Sequence, residues 1–161
     1  MIVTARNGAG ESQLTLQVRV NAAARMVALG GQGESSCEVY DPASNSWRAI
    51  APMGSKRQNL AAAVVGGLLY ALGGYDGSSL SSCEVYDPAS NSWRAIAPMG
   101  SKRDGLAATV VGGLLYALGG YDGSGNLSSC EVYDPASNRW RAIAPMGSKR
   151  YYLAAAVLSI G

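Results

Sequence analysis

A chain of 161 residues, 48% hydrophobic and 15% charged, is long enough to bury a core. Its net charge of +2 and its lack of histidine offer neither the basic surplus that holds nucleic acid nor the usual general base and metal-ligating imidazole. No apolar run approaches the ~20 residues of a membrane span and no secretion-signal pattern opens the chain, so a cytoplasmic location is expected.

The first predicted element is a hairpin within residues 1–20. Val3 to Gly10 followed by Gln13 to Val20 reads as two alternating runs around the turn signal Asn7-Gly8. The A-x-N-x-x-G pattern of Ala5, Asn7 and Gly10 resembles the last two strands of an intermediate-type immunoglobulin domain, with Val3 where such domains often carry a cysteine. The remainder of such a sandwich has no counterpart here, so the hairpin marks a chimera or a fragment of a larger product. Leu14 to Val20 is a candidate for the first strand of the unit that follows.

Residues 21–161 repeat. "SSCEVYDPASN" occurs three times, and Trp47, Trp93 and Trp140 stand 46 and 47 residues apart, a period that indicates stacked units. The unit is β, because its short apolar runs are bounded by glycine pairs and none sustains a helical period. In the middle copy the expected strands are Leu60 to Val65, Leu68 to Leu72, Cys83 to Tyr86 and Trp93 to Ala97, with a turn at Asp87-Pro88-Ala89-Ser90-Asn91.

Gly73-Gly74, Glu84 to Pro88, Asn91 and Trp93, with their equivalents from Gly30 to Trp47 and from Gly119 to Trp140, resemble the kelch repeat. The resemblance implies an all-β fold of four-stranded antiparallel propeller blades. Three blades' worth of strands are expected, at about 24–54, 58–100 and 104–147, with a lone first strand at 151–158. Propellers close with about four to eight blades. Closure into a six-bladed ring by homodimerisation, the chain's own copy as partner, is therefore the expected assembly.

The three cysteines occupy matched positions, too far apart for a disulfide, whose Cα atoms must lie within ~7 Å, so free thiols are expected. Without C-x-x-C spacing or histidine no metal site is expected. The glycine-rich Gly73 to Gly77 leads into a strand and lacks G-K-[ST], which argues against a phosphate loop. The acids recur in every copy, as structural roles would have them, so no catalytic residue and no cofactor is assigned.

The basic pairs Lys56-Arg57, Lys102-Arg103 and Lys149-Arg150 end each copy, and different couplets follow them. Radial repetition brings these loops, and the loops that begin at Tyr75 and Tyr121, to one face. One reading is a solvated basic loop. A second is a protein-binding face of Arg57, Gln58, Asn59, Tyr75, Arg103, Asp104, Tyr121, Arg150 and Tyr151 that takes an acidic peptide, protein or phosphate, and nucleic acid is a minor third. The resemblance implies such arginine contacts in ubiquitin-ligase adaptors. The function expected is a noncatalytic interaction scaffold of engineered or chimeric origin; the alternative is a natural kelch substrate-recognition module of a cullin-dependent ligase adaptor or an actin-binding kelch protein. Oxidase-type kelch enzymes are disfavoured by the missing histidines.

Overall fold

The computed structural model describes residues 2–5, 14–17 and 24–159. These described residues hold thirteen strands in four antiparallel sheets. β1 (Ile2–Ala5) pairs with β2 (Leu14–Gln17) in the expected hairpin. β3 (Met26–Leu29), β4 (Cys37–Asp41) and β5 (Ser46–Ile50) make a three-stranded first blade. The second blade is β6 (Ala61–Val65), β7 (Leu68–Leu72), β8 (Cys83–Asp87) and β9 (Ser92–Ile96). The third is β10 (Ala107–Val111), β11 (Leu114–Leu118), β12 (Cys130–Asp134) and β13 (Arg139–Ile143). Each blade is a meander in chain order. No helix of the described residues is long and apolar enough to cross a membrane.

The repeated letters account for the repeated geometry. Asn45, Asn91 and Asn138 take φ of 50°, 48° and 52°, the left-handed region that asparagine tolerates best among residues with a side chain. The Asn91 amide oxygen accepts from the Tyr86 hydroxyl at 2.8 Å and from the Ala51 N–H of the preceding blade at 3.0 Å. One turn residue thus closes its own hairpin and fastens its blade to the neighbour. The Trp93 indole N–H donates to the Ala51 carbonyl at 2.8 Å, and Trp140 repeats the bond to Ala97 at 2.9 Å.

The core lies between blades. Cys37, Val39, Ile50 and Met53 of the first pack against Leu69, Ala71 and Tyr86 of the second. Tyr70, Leu72, Val85 and Met99 of the second pack against Leu106, Leu115 and Tyr133 of the third. Burial of such apolar side chains contributes about 1.5–3 kcal/mol each, so each blade depends on its neighbour for stability.

Two expectations about strands are corrected. Residues 153–159 join no strand, although the sequence suggests a first strand at 151–158; within one chain this segment has no sheet to pair with. β2 is bonded to β1, and β3 has β4 as its ladder partner, so the hairpin does not complete the first blade.

The cysteines are buried and unbridged. Burial pushes the Cys83 thiol up to about 11 and raises that of Cys37, while the Cys83 thiol donates to the Ser81 carbonyl at 3.5 Å. Because the thiolate is the reactive form, an aromatic disulfide reagent at pH 8 should titrate almost no thiol in the native protein and three after unfolding. The raised value also contributes to the alkaline limb of stability. The contribution of Cys83 is fully present below the unfolded thiol's ordinary value near 9 and is lost as pH rises through about 11, so the urea midpoint should fall across that window.

Candidate functional site

The loops that hand one blade to the next lie beside the loops that follow each double glycine, and a short antiparallel bridge joins them. Gln58 and Tyr75 exchange N–H···O bonds of 3.0 and 2.8 Å, and Asp104 and Tyr121 exchange bonds of 2.9 and 2.8 Å. This brings the variable residues of the two loop sets into contact. Tyr151 extends the pattern: its ring lies 5.8 Å from that of Tyr121 and 3.9 Å from that of Tyr152.

The face carries both charge signs. A groove of about 230 Å³ is lined by Lys56, Gln58, Tyr75 and Asp76, and another of about 320 Å³ by Asp122, Ser124, Asn126 and Lys149. The Asp122 carboxyl is held below the usual carboxylate range by the N–H groups of Ser124 and Gly125, at 2.7 and 2.9 Å, and stays ionised. Asp104 is buried, and its Oδ2 accepts from the Tyr151 hydroxyl at 3.3 Å. The Tyr151 phenol is held well above its ordinary value, by the Tyr152 hydroxyl first and then by burial and the Asp104 carboxylate. It remains a neutral donor.

Arg57 and Arg103 do not belong to the face. Both are 0% exposed. The Arg57 side chain runs into the second blade, where Nε and one terminal nitrogen meet Glu84 Oε2, each at 3.1 Å. The other terminal nitrogen donates to the Gly73 and Ser82 carbonyls at 2.7 and 2.9 Å, and Ser82 Oγ takes a further bond at 3.0 Å. All three guanidinium nitrogens are engaged, by four hydrogen bonds and the ion pair. Arg103 repeats the set in the third blade with Glu131, Gly119 and Ser129. Acidic-partner contacts by Arg57 and Arg103 are therefore corrected to an internal fastening of blade to blade.

Of the other residues singled out from sequence, Gln58, Asn59, Tyr75, Tyr121 and Tyr151 are half-buried at the face, and Arg150 is exposed. The loop lysines Lys56 and Lys102 are exposed, while each adjoining arginine turns inward. The missed signal was Glu84 and Glu131: an acid flanked by cysteine and valine in the third strand of a blade needs a buried cation.

A family model for the kelch motif matches residues 25–54, 56–100 and 102–147, well over half of the chain. The chain belongs to the kelch-motif family. Human kelch-like protein 28 is 46% identical over 46 residues, 29% of this chain and 8% of that protein. Human kelch-like protein 23 is 41% identical over 51 residues, 32% of this chain and 9% of its own length. The mouse influenza virus NS1A-binding protein homolog is 39% identical over 79 residues, 47% of this chain and 11% of that protein. The kelch chain thus spans about a tenth of these relatives. The solved structure of YjhT superposes with a TM-score of 0.67 at 18% identity, covering 75% of this chain and 48% of that one. Kelch blades and a propeller-type fold are established.

Proposed function

We propose that the chain is a noncatalytic scaffold that binds a partner protein through the loop face of Gln58, Tyr75, Tyr121 and Tyr151, and that two copies close into a six-bladed ring. The observation that carries the binding face is the chemical difference between couplets held on one unchanging framework. The bridges Gln58 to Tyr75 and Asp104 to Tyr121 are geometrically alike, with tyrosine constant on one side and Gln58 or the buried Asp104 on the other. With Arg57 and Arg103 withdrawn and Asp76, Asp122, Lys56 and Lys149 interspersed, the face suits a surface of mixed charge with aromatic contacts better than a uniformly acidic peptide. The near-identity of the copies and the unrelated hairpin fit a chimeric or engineered origin. A natural substrate-recognition role would use the same face.

Ring closure is supported by the fold match, in which this chain corresponds to about half of a larger propeller-type chain. The face is tested by panning a random peptide library on the immobilised 161-residue chain. Selected peptides should lose at least tenfold in affinity when Tyr75 and Tyr121 are both changed to alanine, and should be indifferent to Ser90→Ala in the β8–β9 turn. Equal binding by the tyrosine variant would refute the face.

A further inference from the structure

We propose that the two open ends of the chain are the two halves of one more blade-to-blade seam, so that a second copy of this chain docks head to tail with Arg150 entering the Glu38 socket of the partner subunit. This rests on the ring reading above and names the residues that make it.

The seam between the first and second blades and that between the second and third are built from the same parts. In each, an arginine meets a glutamate of the following blade, Arg57 with Glu84 and Arg103 with Glu131. A glycine N–H donates to the same glutamate, Gly54 at 2.8 Å and Gly100 at 2.6 Å. An alanine N–H reaches the turn asparagine of the following blade, and that alanine's carbonyl accepts from its tryptophan. Every contributor from the leading blade exists again at the third blade as Ala144, Gly147 and Arg150, and every contributor from the following blade exists at the first as Glu38, Asn45 and Trp47.

At the two ends these groups are not engaged. Glu84 and Glu131 are buried, whereas Glu38 is exposed; Arg57 and Arg103 are buried, whereas Arg150 is exposed. Among the described residues neither the Glu38 nor the Arg150 side chain has a hydrogen-bonding partner. Trp47 is 48% exposed, and its counterparts Trp93 and Trp140 are covered further. The arginine, the glycine N–H and the alanine N–H and carbonyl lie at one end and the glutamate, asparagine and indole that match them at the other, so the surface is complementary to its own opposite end.

The backbone is already set for the next blade. Gly74 N–H donates to Arg103 O at 2.9 Å and Gly105 N–H to Asn59 O at 3.0 Å before β10 begins. Gly120 N–H donates to Arg150 O at 2.8 Å and Tyr152 N–H to Gly105 O at 2.9 Å just before residues 153–158. Carrying over the β6–β7 register, in which Ala61 faces Leu72 and Val64 faces Leu69, places Ala154 against Leu29 of the partner subunit and Val157 against the partner's Met26. Met26 is 58% exposed, Val157 55% and Leu158 81%, the apolar surface that such a ladder covers. In a two-copy ring the seam occurs twice, identically.

Size-exclusion chromatography with light scattering on the 161-residue chain should give twice the 16.6 kDa of one chain. Arg150→Ala and Glu38→Ala should each weaken the dimer roughly a hundredfold or more, because each leaves a buried charge unpaired in both seams. The circular dichroism of the single chains should stay unchanged, since neither side chain is engaged there. Mixing the two variants should restore dimer, because one seam of the mixed ring is intact and the other lacks both charges. A wild-type chain that stays at 16.6 kDa would remove the ring and the seam together. A dimer insensitive to both substitutions, or one that gains nothing on mixing, would overturn the seam and leave the ring reading standing. A trimer or longer assembly would overturn closure by two copies.

Discussion

Arg103→Ala is expected to lower the stability of the chain by about 3–5 kcal/mol, a large fraction of the ~5–15 kcal/mol that typically holds a domain together. The cost has two parts. Glu131, buried against the Gly100 N–H, loses its counter-charge, and the carbonyls of Gly119 and Ser129 lose their donor. Arg103→Lys should recover little, because an ammonium brings three donors on a point charge in place of five in a rigid fork. The paired change Arg103→Met with Glu131→Leu should recover the part due to the unpaired charge, since it removes both charges, while the carbonyls of Gly119 and Ser129 still lack their donor. Urea unfolding of the four proteins checks this. A loss under 1 kcal/mol for Arg103→Ala would mean that the pair contributes little to holding the seam.

The architecture was legible in the sequence because each of its determinants is local. The double glycines, the Asp-Pro-Ala-Ser-Asn turn and the tryptophan period place strands to within about a residue: the expected Leu68 to Leu72 is β7 unchanged, and Cys83 to Tyr86 gains only Asp87. The fate of the arginines was not legible in the same way. Lys56 and Arg57 are adjacent in a hydrophilic loop, and composition gives no reason for one to face water and the other to be wholly buried. That outcome depends on Glu84, 27 residues later, and on carbonyls at Gly73 and Ser82 that only the folded blade brings together. The pairing of Gln58 with Tyr75 and of Asp104 with Tyr121 follows from the repeat itself, whereas the burial of Asp104 does not. The pairing partner of residues 153–158 could not be read from local pattern, since strand propensity identifies an edge without identifying what covers it.

Gly73→Val is expected to cost about 2–5 kcal/mol, for reasons that separate the two demands placed on the double glycine. Gly73 has φ of +57°, where a side chain costs about 1–2 kcal/mol and a β-branched one is least tolerated. A Cβ there would also run into the Arg103 carbonyl oxygen and press the Met99 methyl at 3.2 Å, adding roughly 1–3 kcal/mol of overpacking. That carbonyl is not free to retreat, because it accepts from the Gly74 N–H at 2.9 Å and belongs to the residue whose side chain fastens the third blade. Gly66→Val provides the contrast. Gly66 has a similar φ of +58° but open space around the added carbon, so it should lose only the conformational part, about 1–2 kcal/mol. Equal urea midpoints for the two variants would show that φ alone explains the glycine at position 73. The larger loss expected for Gly73→Val would locate the difference in the close approach of one blade's strand end to its neighbour's handover loop.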